Sequence, residues 1–169
     1  MSSRYAEEWL PMCFGKHKGR TLPQIMFVDA DWFYWCVEEG VFKNSQPEVR
    51  RQARRIYDCS RSIAIPERLG RDMVVEHYLH PYDGYYDHFN IVPRTLPPHV
   101  GESRTYRSDV IDMHAPREHH SMDKLGFRNF IWSLKSEFFD DPSYVMNKKR
   151  SEAFFNDLSN FRLPSDREN

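Results

Sequence analysis

The sequence has no apolar run long enough to span a membrane, and it has few cysteines. No stretch approaches the roughly 18 residues of a transmembrane helix, and the opening residues, MSSRYAEEWLP, lack the apolar core of a signal peptide. We therefore expect an intracellular, cytoplasmic protein without a membrane partner. Cys13, Cys36 and Cys59 form no CxxC pair and leave one thiol over, which favours reduced cysteines over a disulfide framework or a zinc site.

Motifs of several enzyme classes are also missing. The sequence contains no G-x-x-x-x-G-K-[ST] phosphate loop, no G-x-S-x-G nucleophile turn and no HExxH zinc helix. These absences favour a binding protein, without a resident cofactor, over an enzyme.

Charge is nearly balanced over the whole chain but unevenly placed along it. The net charge is −1, so there is no global attraction to nucleic acid. Residues 1–71 hold 12 Lys and Arg against 9 Asp and Glu, a net +3, whereas residues 72–169 hold 12 against 16, a net −4. A polyanionic partner is therefore expected to meet the N-terminal part. Aromatic residues make up 15% of the chain, which indicates a folded protein.

The order of local signals predicts an α+β fold. We expect a small N-terminal strand–turn–helix unit with an arginine-rich helix, a central antiparallel β-hairpin or sheet, and C-terminal helices. At 169 residues, one compact unit is expected. Within it, residues 1–71 form a basic subdomain, residues 72–160 form the hairpin and helical region, and residues 161–169 form a frayed tail.

Capping and turn residues place these elements. Thr21 before Leu22 and Pro23 predicts one helix start, Asp29 or Asp31 a second, and Pro47 a third. Asp83-Gly84 between aromatic and β-branched runs predicts a hairpin with a two-residue loop, in which Tyr78 faces Phe89. A short strand is expected at residues 110–113 within long loops, a helix from Lys124 with Asp123 or Ser121 as its cap, and a last helix after Asp141-Pro142.

Two basic elements are candidate anion-binding sites. In the stretch CFGKHKGRTL, glycines at positions 15 and 19 would let backbone amides approach a phosphate while cationic side chains neutralise it. The helix PEVRRQARRIYDCSR carries arginines opposite its apolar stripe, and the planar guanidinium suits phosphate. Among the aromatics of residues 32–35, Tyr34 is the candidate for an exposed base-stacking position. The predicted nucleic-acid-binding residues are Lys16, His17, Lys18, Arg20, Tyr34, Arg50, Arg51, Arg54 and Arg55.

The same region resembles known proteins. FGKHKGRTL, followed by DADWFYWCVEEGVF, is similar to the F-G-K-x-K-G-x-[ST]-L pattern of the C-terminal module of exodeoxyribonuclease X-like proteins. It also resembles a small bacterial and phage family described as quorum-sensing-regulated virulence factors. The resemblance covers residues 13–42 only. It implies an accessory or regulatory nucleic-acid-binding protein, with DNA as the favoured partner, of bacterial, phage or mobile-element origin. In those proteins the nuclease residues belong to a separate domain, so the resemblance implies binding and not catalysis.

Two alternatives remain open at this level. Glu76, His80 and Asp87, brought together on one face of the predicted hairpin, would form a ligand set for a divalent metal in a nuclease or other hydrolase. The other histidines, His77 and His88 on the opposite face and His114, His119 and His120 in loops, are further candidates. Alternatively, the acidic, aromatic C-terminal half engages a host protein and regulates it.

Overall fold

The structure, a computed structural model, describes residues 6–163. It has the α+β architecture expected from the sequence, with five helices and one three-stranded antiparallel sheet in this range. Among these residues, no helix is both long and apolar enough to cross a membrane. The elements in chain order are α1 (Leu22–Glu38), a 3-10 turn (Val41–Asn44), α2 (Pro47–Ser60), a 3-10 turn (Glu67–Leu69), β1 (Met73–Leu79), β2 (Tyr86–Pro93), β3 (Arg104–Ser108), α3 (Ala115–His119), α4 (Lys124–Phe139), α5 (Lys148–Asn156) and a 3-10 turn (Leu158–Asn160).

Helix α1 begins where its capping residues predict, and it bends in the middle. The Thr21 backbone N–H donates to Gln24 Oε1 over 3.0 Å, which closes a capping box. Asp29 leaves the helical conformation, with φ −162° and ψ 61°, and its Oδ1 accepts from the Trp32 N–H at 3.3 Å. The second predicted helix start is therefore a bend within one helix, capped from inside by Asp29.

Helix α2 is amphipathic, as predicted, and starts at Pro47. Val49, Ala53 and Ile56 are buried on its inner face. Gln52 is fully buried among them and holds the extended N-terminal segment, because its amide donates to Glu8 O at 2.8 Å and accepts from the Leu10 N–H at 3.1 Å.

The hairpin exists, but its predicted register is wrong by one residue. Tyr78 pairs with His88, and Phe89 pairs with His77. The His80 N–H donates to the Tyr85 carbonyl at 2.8 Å, and four residues, 81–84, lie between them. A four-residue loop, with a bulge after Tyr78, shifts every pair relative to a two-residue turn. Phe89 consequently faces the core, where its ring lies 5.1 Å from that of Phe130 on α4.

The third strand was missed by the sequence analysis. Residues 104–108 were expected to be loop, yet they form β3 and pair with β1, which gives the strand order β2–β1–β3. The expected strand at residues 110–113 is wrong, since only Ile111 makes an isolated bridge there, to Ile63. The segment RTYRS has one apolar side chain, Tyr106, so its strand character comes from pairing with β1 and not from its own alternation.

The C-terminal helices complete a core shared by both halves of the chain. Asp123, one of the two cap residues predicted, caps α4 by accepting from the Gly126 N–H at 2.8 Å. Phe154 on α5 packs edge-on against Phe27 of α1, with ring centroids 5.4 Å apart. The expected fraying does not begin at residue 161, because Phe161 bridges Ile63 and the Arg162 N–H donates to Ser62 O at 2.7 Å. The remainder of the predicted tail, residues 164–169, lies outside the described residues.

Candidate functional site

The glycine-lysine stretch, residues 13–20, forms a closed turn that we call the basic loop. Three of its backbone amides are occupied, because those of Lys18, Gly19 and Arg20 donate to the carbonyls of Gly15, Met12 and His17 at 2.8–3.2 Å. Gly15 and Gly19 both have positive φ, +75° and +89°, the backbone conformation that glycine adopts without strain. The amides of residues 18–20 are therefore hydrogen-bonded within the turn, and an anion at these residues would contact their side chains.

One carboxylate anchors the basic loop to α1. Asp29 Oδ2 lies 2.6 Å from Lys16 Nζ and 2.8 Å from His17 Nε2. His17 is 9% exposed and its ring meets Trp32 edge-on, with centroids 5.0 Å apart. Burial opposes ionisation of Asp29, but the hydrogen bonds from Lys16 and His17 outweigh it and hold the pKa of this carboxyl below its ordinary value. Lys16 and His17 thus have a structural partner within the chain.

The remaining cations of the basic loop are open to solvent. Lys18 and Arg20 are exposed, and among residues 6–163 neither forms an ion pair. These two side chains, and not the whole cluster, are available to an external anion.

The four arginines of α2 divide into two pairs. Arg51 and Arg55 both contact Glu7, Arg55 at 2.7 Å, and Arg51 also pairs with Glu48. Burial raises the pKa of Glu7, but hydrogen bonds from Arg51, Gln52 and Arg55 outweigh it and keep this pKa below its ordinary value. Arg55 also lies over the Trp9 ring, 5.4 Å from its centroid. This pair holds the N-terminal segment in place.

Arg50 and Arg54 instead border a cavity of about 260 Å³ between α1, the 3-10 turn Val41–Asn44 and α2. We call it the α2 groove. Lys43 completes its rim, and Arg50 Nη1 donates to the Lys43 carbonyl at 3.3 Å. Within the described chain, none of these three cations has a carboxylate partner, and no acidic residue lines the cavity. The lining residues are Val37, Gly40, Phe42, Lys43, Arg50, Ala53, Arg54 and Tyr57.

The expectation that Tyr34 is exposed is wrong. Tyr34 is 1% exposed, and its hydroxyl lies 2.7 Å from Ser60 Oγ in the interior. The exposed aromatic of this helix is Trp35, which is 46% exposed. Helical geometry explains the exchange, since four consecutive aromatics point all round the helix and only contacts with other elements decide which one faces solvent.

The basic loop and the α2 groove border different cavities. Lys16 lines a cavity with Trp35, Met122 and Lys124, and this cavity shares no residue with the α2 groove. A continuous basic surface across both elements stays a prediction.

Lys43, Phe42 and Tyr57, which also line the α2 groove, were not predicted as site residues from the sequence. The signal was Gly40 followed by VFKN, a helix end that turns Phe42 and Lys43 back toward α2.

The proposed metal ligands are not brought together. Glu76 is 2% exposed and is bound by Arg107 at 2.8 Å and by the Tyr78 hydroxyl at 2.6 Å. His80 lies in the turn beside Asp83, whereas Asp87 pairs with His88. The corrected register accounts for this separation. No group of three His, Cys, Asp or Glu side chains among residues 6–163 is arranged to hold a metal ion.

The other histidines occupy a buried hydrogen-bonded cluster or pair on the surface. His77 is 1% exposed, with Nδ1 2.8 Å from the Tyr86 hydroxyl and Nε2 2.9 Å from Ser108 Oγ. Ser108 Oγ donates to Val110 O, so His77 Nε2–H is the donor to this oxygen and Nδ1 accepts from Tyr86. In that tautomer His77 cannot activate Ser108 as a base, and the cluster is structural.

Comparison of the chain with protein-family models, with curated proteins and with solved structures gave no match. The resemblance of residues 13–42 to the exonuclease-associated module stays a prediction.

Proposed function

We propose that this protein binds nucleic acid through its phosphate backbone, with Lys43, Arg50 and Arg54 at the α2 groove as the principal contacts. The observation that carries the proposal is the convergence of three exposed cations on a cavity without an acidic lining residue. Guanidinium groups offer paired N–H donors that match phosphate oxygens.

Local charge, and not net charge, supports this assignment. The chain as a whole carries −1, so attraction depends on where cations lack partners. Arg51, Arg55 and Lys16 have carboxylate partners within the chain, and releasing any of them to a phosphate would remove an ion-pair partner from Glu7 or Asp29. Lys43, Arg50 and Arg54 carry no such cost. We include Lys18 and Arg20 of the basic loop as a second contact with the same backbone.

The regulatory setting of the proposal comes from the resemblance. An accessory or regulatory DNA-binding role, in a bacterium, phage or mobile element, is what the F-G-K-x-K-G pattern implies. The alternative of a metal-dependent hydrolase has no ligand set among residues 6–163. The alternative of a host-protein partner for the C-terminal half is separated by salt dependence, because generic DNA binding weakens steeply with salt.

The test is a charge-matched pair of double variants. Arg50→Ala/Arg54→Ala removes two groove cations, whereas Lys148→Ala/Lys149→Ala removes two exposed cations of α5 that line none of the cavities described. Titration of labelled DNA of unrelated sequences is repeated at two salt concentrations. We expect the groove variant to flatten the log–log salt slope by about 1.5 through lost counterion release, and the α5 variant to leave it unchanged. Equal slopes for both variants would reject the groove as the binding site.

A further inference from the structure

The α2 groove is not only basic; its interior is apolar. Val37, Phe42, Ala53 and Tyr57 form the walls, and the cations stand at the rim. Phosphate binding alone does not use apolar walls. A ligand that fits the whole groove therefore carries a negative charge next to a flat, weakly polar group.

We infer that the α2 groove holds one unpaired nucleotide of single-stranded DNA, with the base against Val37, Phe42 and Tyr57 and its phosphate on Arg50 and Arg54. This inference rests on the proposed function. In a duplex the bases are stacked and paired, so only phosphates reach a protein surface unless a base is flipped out at a cost of a few kcal/mol. An unpaired base pays no such cost and gains contact with aromatic side chains.

The size of the groove agrees with a single base. Its volume of about 260 Å³ lies just below the range of about 300–1,000 Å³ typical of sites for drug-sized ligands. It therefore suits one planar ring system with the sugar and phosphate outside. An adjoining cavity, lined by Lys43, Pro47, Arg50, Arg51 and Arg54, provides cationic surface for the next phosphate of the strand.

The walls are held in place before any ligand arrives. Arg61 Nη1 donates to the Tyr57 hydroxyl at 2.8 Å, and its guanidinium lies 5.5 Å from the centre of the Tyr57 ring. Arg61 is itself bound to Asp112 at 3.2 Å. On the other side, Gly40 adopts φ +69° and starts the turn that carries Phe42 and Lys43. A preformed site loses less conformational entropy on binding than a flexible one.

The test uses two valines of α1 as a matched pair. Val37→Trp fills the groove without changing charge, whereas Val28→Trp adds the same side chain at a position that is 51% exposed and outside the groove. Both variants are titrated with a labelled oligothymidylate and with a duplex of the same length. We expect Val37→Trp to weaken single-strand binding about tenfold, within the range for loss of one stacked base, and to leave duplex binding unchanged. Val28→Trp should bind both DNA forms as the wild-type chain does.

Each outcome decides one claim. If Val37→Trp and Val28→Trp bind the oligothymidylate equally while Arg50→Ala/Arg54→Ala binds both DNA forms weakly, the nucleotide site is rejected and the proposed function stands. If the wild-type chain binds neither DNA form, the proposed function is rejected as well. Should Val37→Trp not fold, photocrosslinking of wild-type protein to an iodouracil-substituted single strand decides instead. We expect the crosslink in peptides containing Phe42 or Tyr57, and crosslinks confined to other peptides would reject the site.

Discussion

His17 Nε2 lies 2.8 Å from Asp29 Oδ2, so the carboxylate that caps the second half of α1 also fixes the basic loop. Asp29 Oδ1 accepts from the Trp32 N–H, and Oδ2 contacts Lys16 and His17. A single side chain thus sets both the bend of the helix and the position of the loop.

Replacement of Asp29 is expected to destabilise the fold. Asp29→Ala removes the internal cap and the loop contacts, and we expect it to lower the free energy of unfolding by about 1–3 kcal/mol. Asp29→Asn keeps an oxygen for the cap and should cost less. Urea denaturation measures both, with Asp58→Ala, an exposed aspartate of α2, as the control. Equal stability of Asp29→Ala and Asp58→Ala would contradict the anchoring role.

The two glycines of the basic loop are expected to differ in their tolerance of alanine. Both need positive φ, which costs an L-residue roughly 1–2 kcal/mol. At Gly15 an added Cβ would also lie 2.9 Å from Trp32 Cζ2, whereas at Gly19 it would meet no atom within 4 Å. Gly15→Ala should therefore destabilise the protein more than Gly19→Ala in thermal or urea unfolding. The reverse order would show that Trp32 moves aside freely.

The solvent-facing cations of the basic loop are expected to affect binding without affecting the fold. Lys18→Ala/Arg20→Ala should weaken DNA binding by a similar factor on unrelated sequences and flatten the salt slope by about 1.5, because counterion release is blind to base identity. Its unfolding free energy should match wild type. Lys16→Ala, by contrast, should lower stability through Asp29. An unchanged affinity of the double variant at both salt concentrations would confine binding to the α2 groove.

Stability is expected to fall on mild acidification because of His77. Burial, with a smaller contribution from His119, lowers the pKa of His77 from 6.5 to about 4. The unfolded chain therefore binds a proton between these pH values that the folded chain does not. The stabilisation is complete above the unfolded pKa and is lost as the pH falls toward the folded one. From neutral pH to about pH 5 we expect a loss of about 2 kcal/mol.

Urea unfolding of wild type and His77→Gln across this pH range checks the assignment. The variant should be less stable at neutral pH, because Tyr86 and Ser108 lose a partner, yet its stability should vary less with pH. The same pH dependence in both proteins would assign the effect to other groups.

Three of the helix starts could be predicted because their signals are local, whereas α3 was expected to be loop and α5 begins at Lys148 rather than directly after Asp141-Pro142. The Thr21 N–H bonds to Gln24, Pro47 fixes its own φ, and Asp123 accepts from the Gly126 N–H, so each acts within one turn. The structure places a helix start after or at each of them.

The strands and their register depend on pairing between segments that are further apart in the sequence. Asp83-Gly84 lies within the turn, but the loop has four residues, 81–84, rather than the predicted two, and this changed the register. β3 is specified by its pairing with β1.

The sequence predicted which residue types would form the candidate site, but not which of them would be paired with carboxylates of the same chain. Arginines on the outer face of α2 follow from its periodicity. That Arg51 and Arg55 meet Glu7, more than 40 positions earlier, depends on how the N-terminal segment crosses the helix. Burial of Tyr34 in place of Trp35 depends in the same way on the position of Ser60.

The position of Glu7 means that the chain carries its own counterion for half of its arginine helix. Gln52 holds the segment that bears Glu7, and the carboxylate occupies Arg51 and Arg55 as a phosphate would. The pairing of the α2 arginines is therefore decided in part by a segment outside the helix. Loss of the single carboxylate at position 7 would remove the ion-pair partner of Arg55 and leave Arg51 paired with Glu48 alone, without altering one residue of α2.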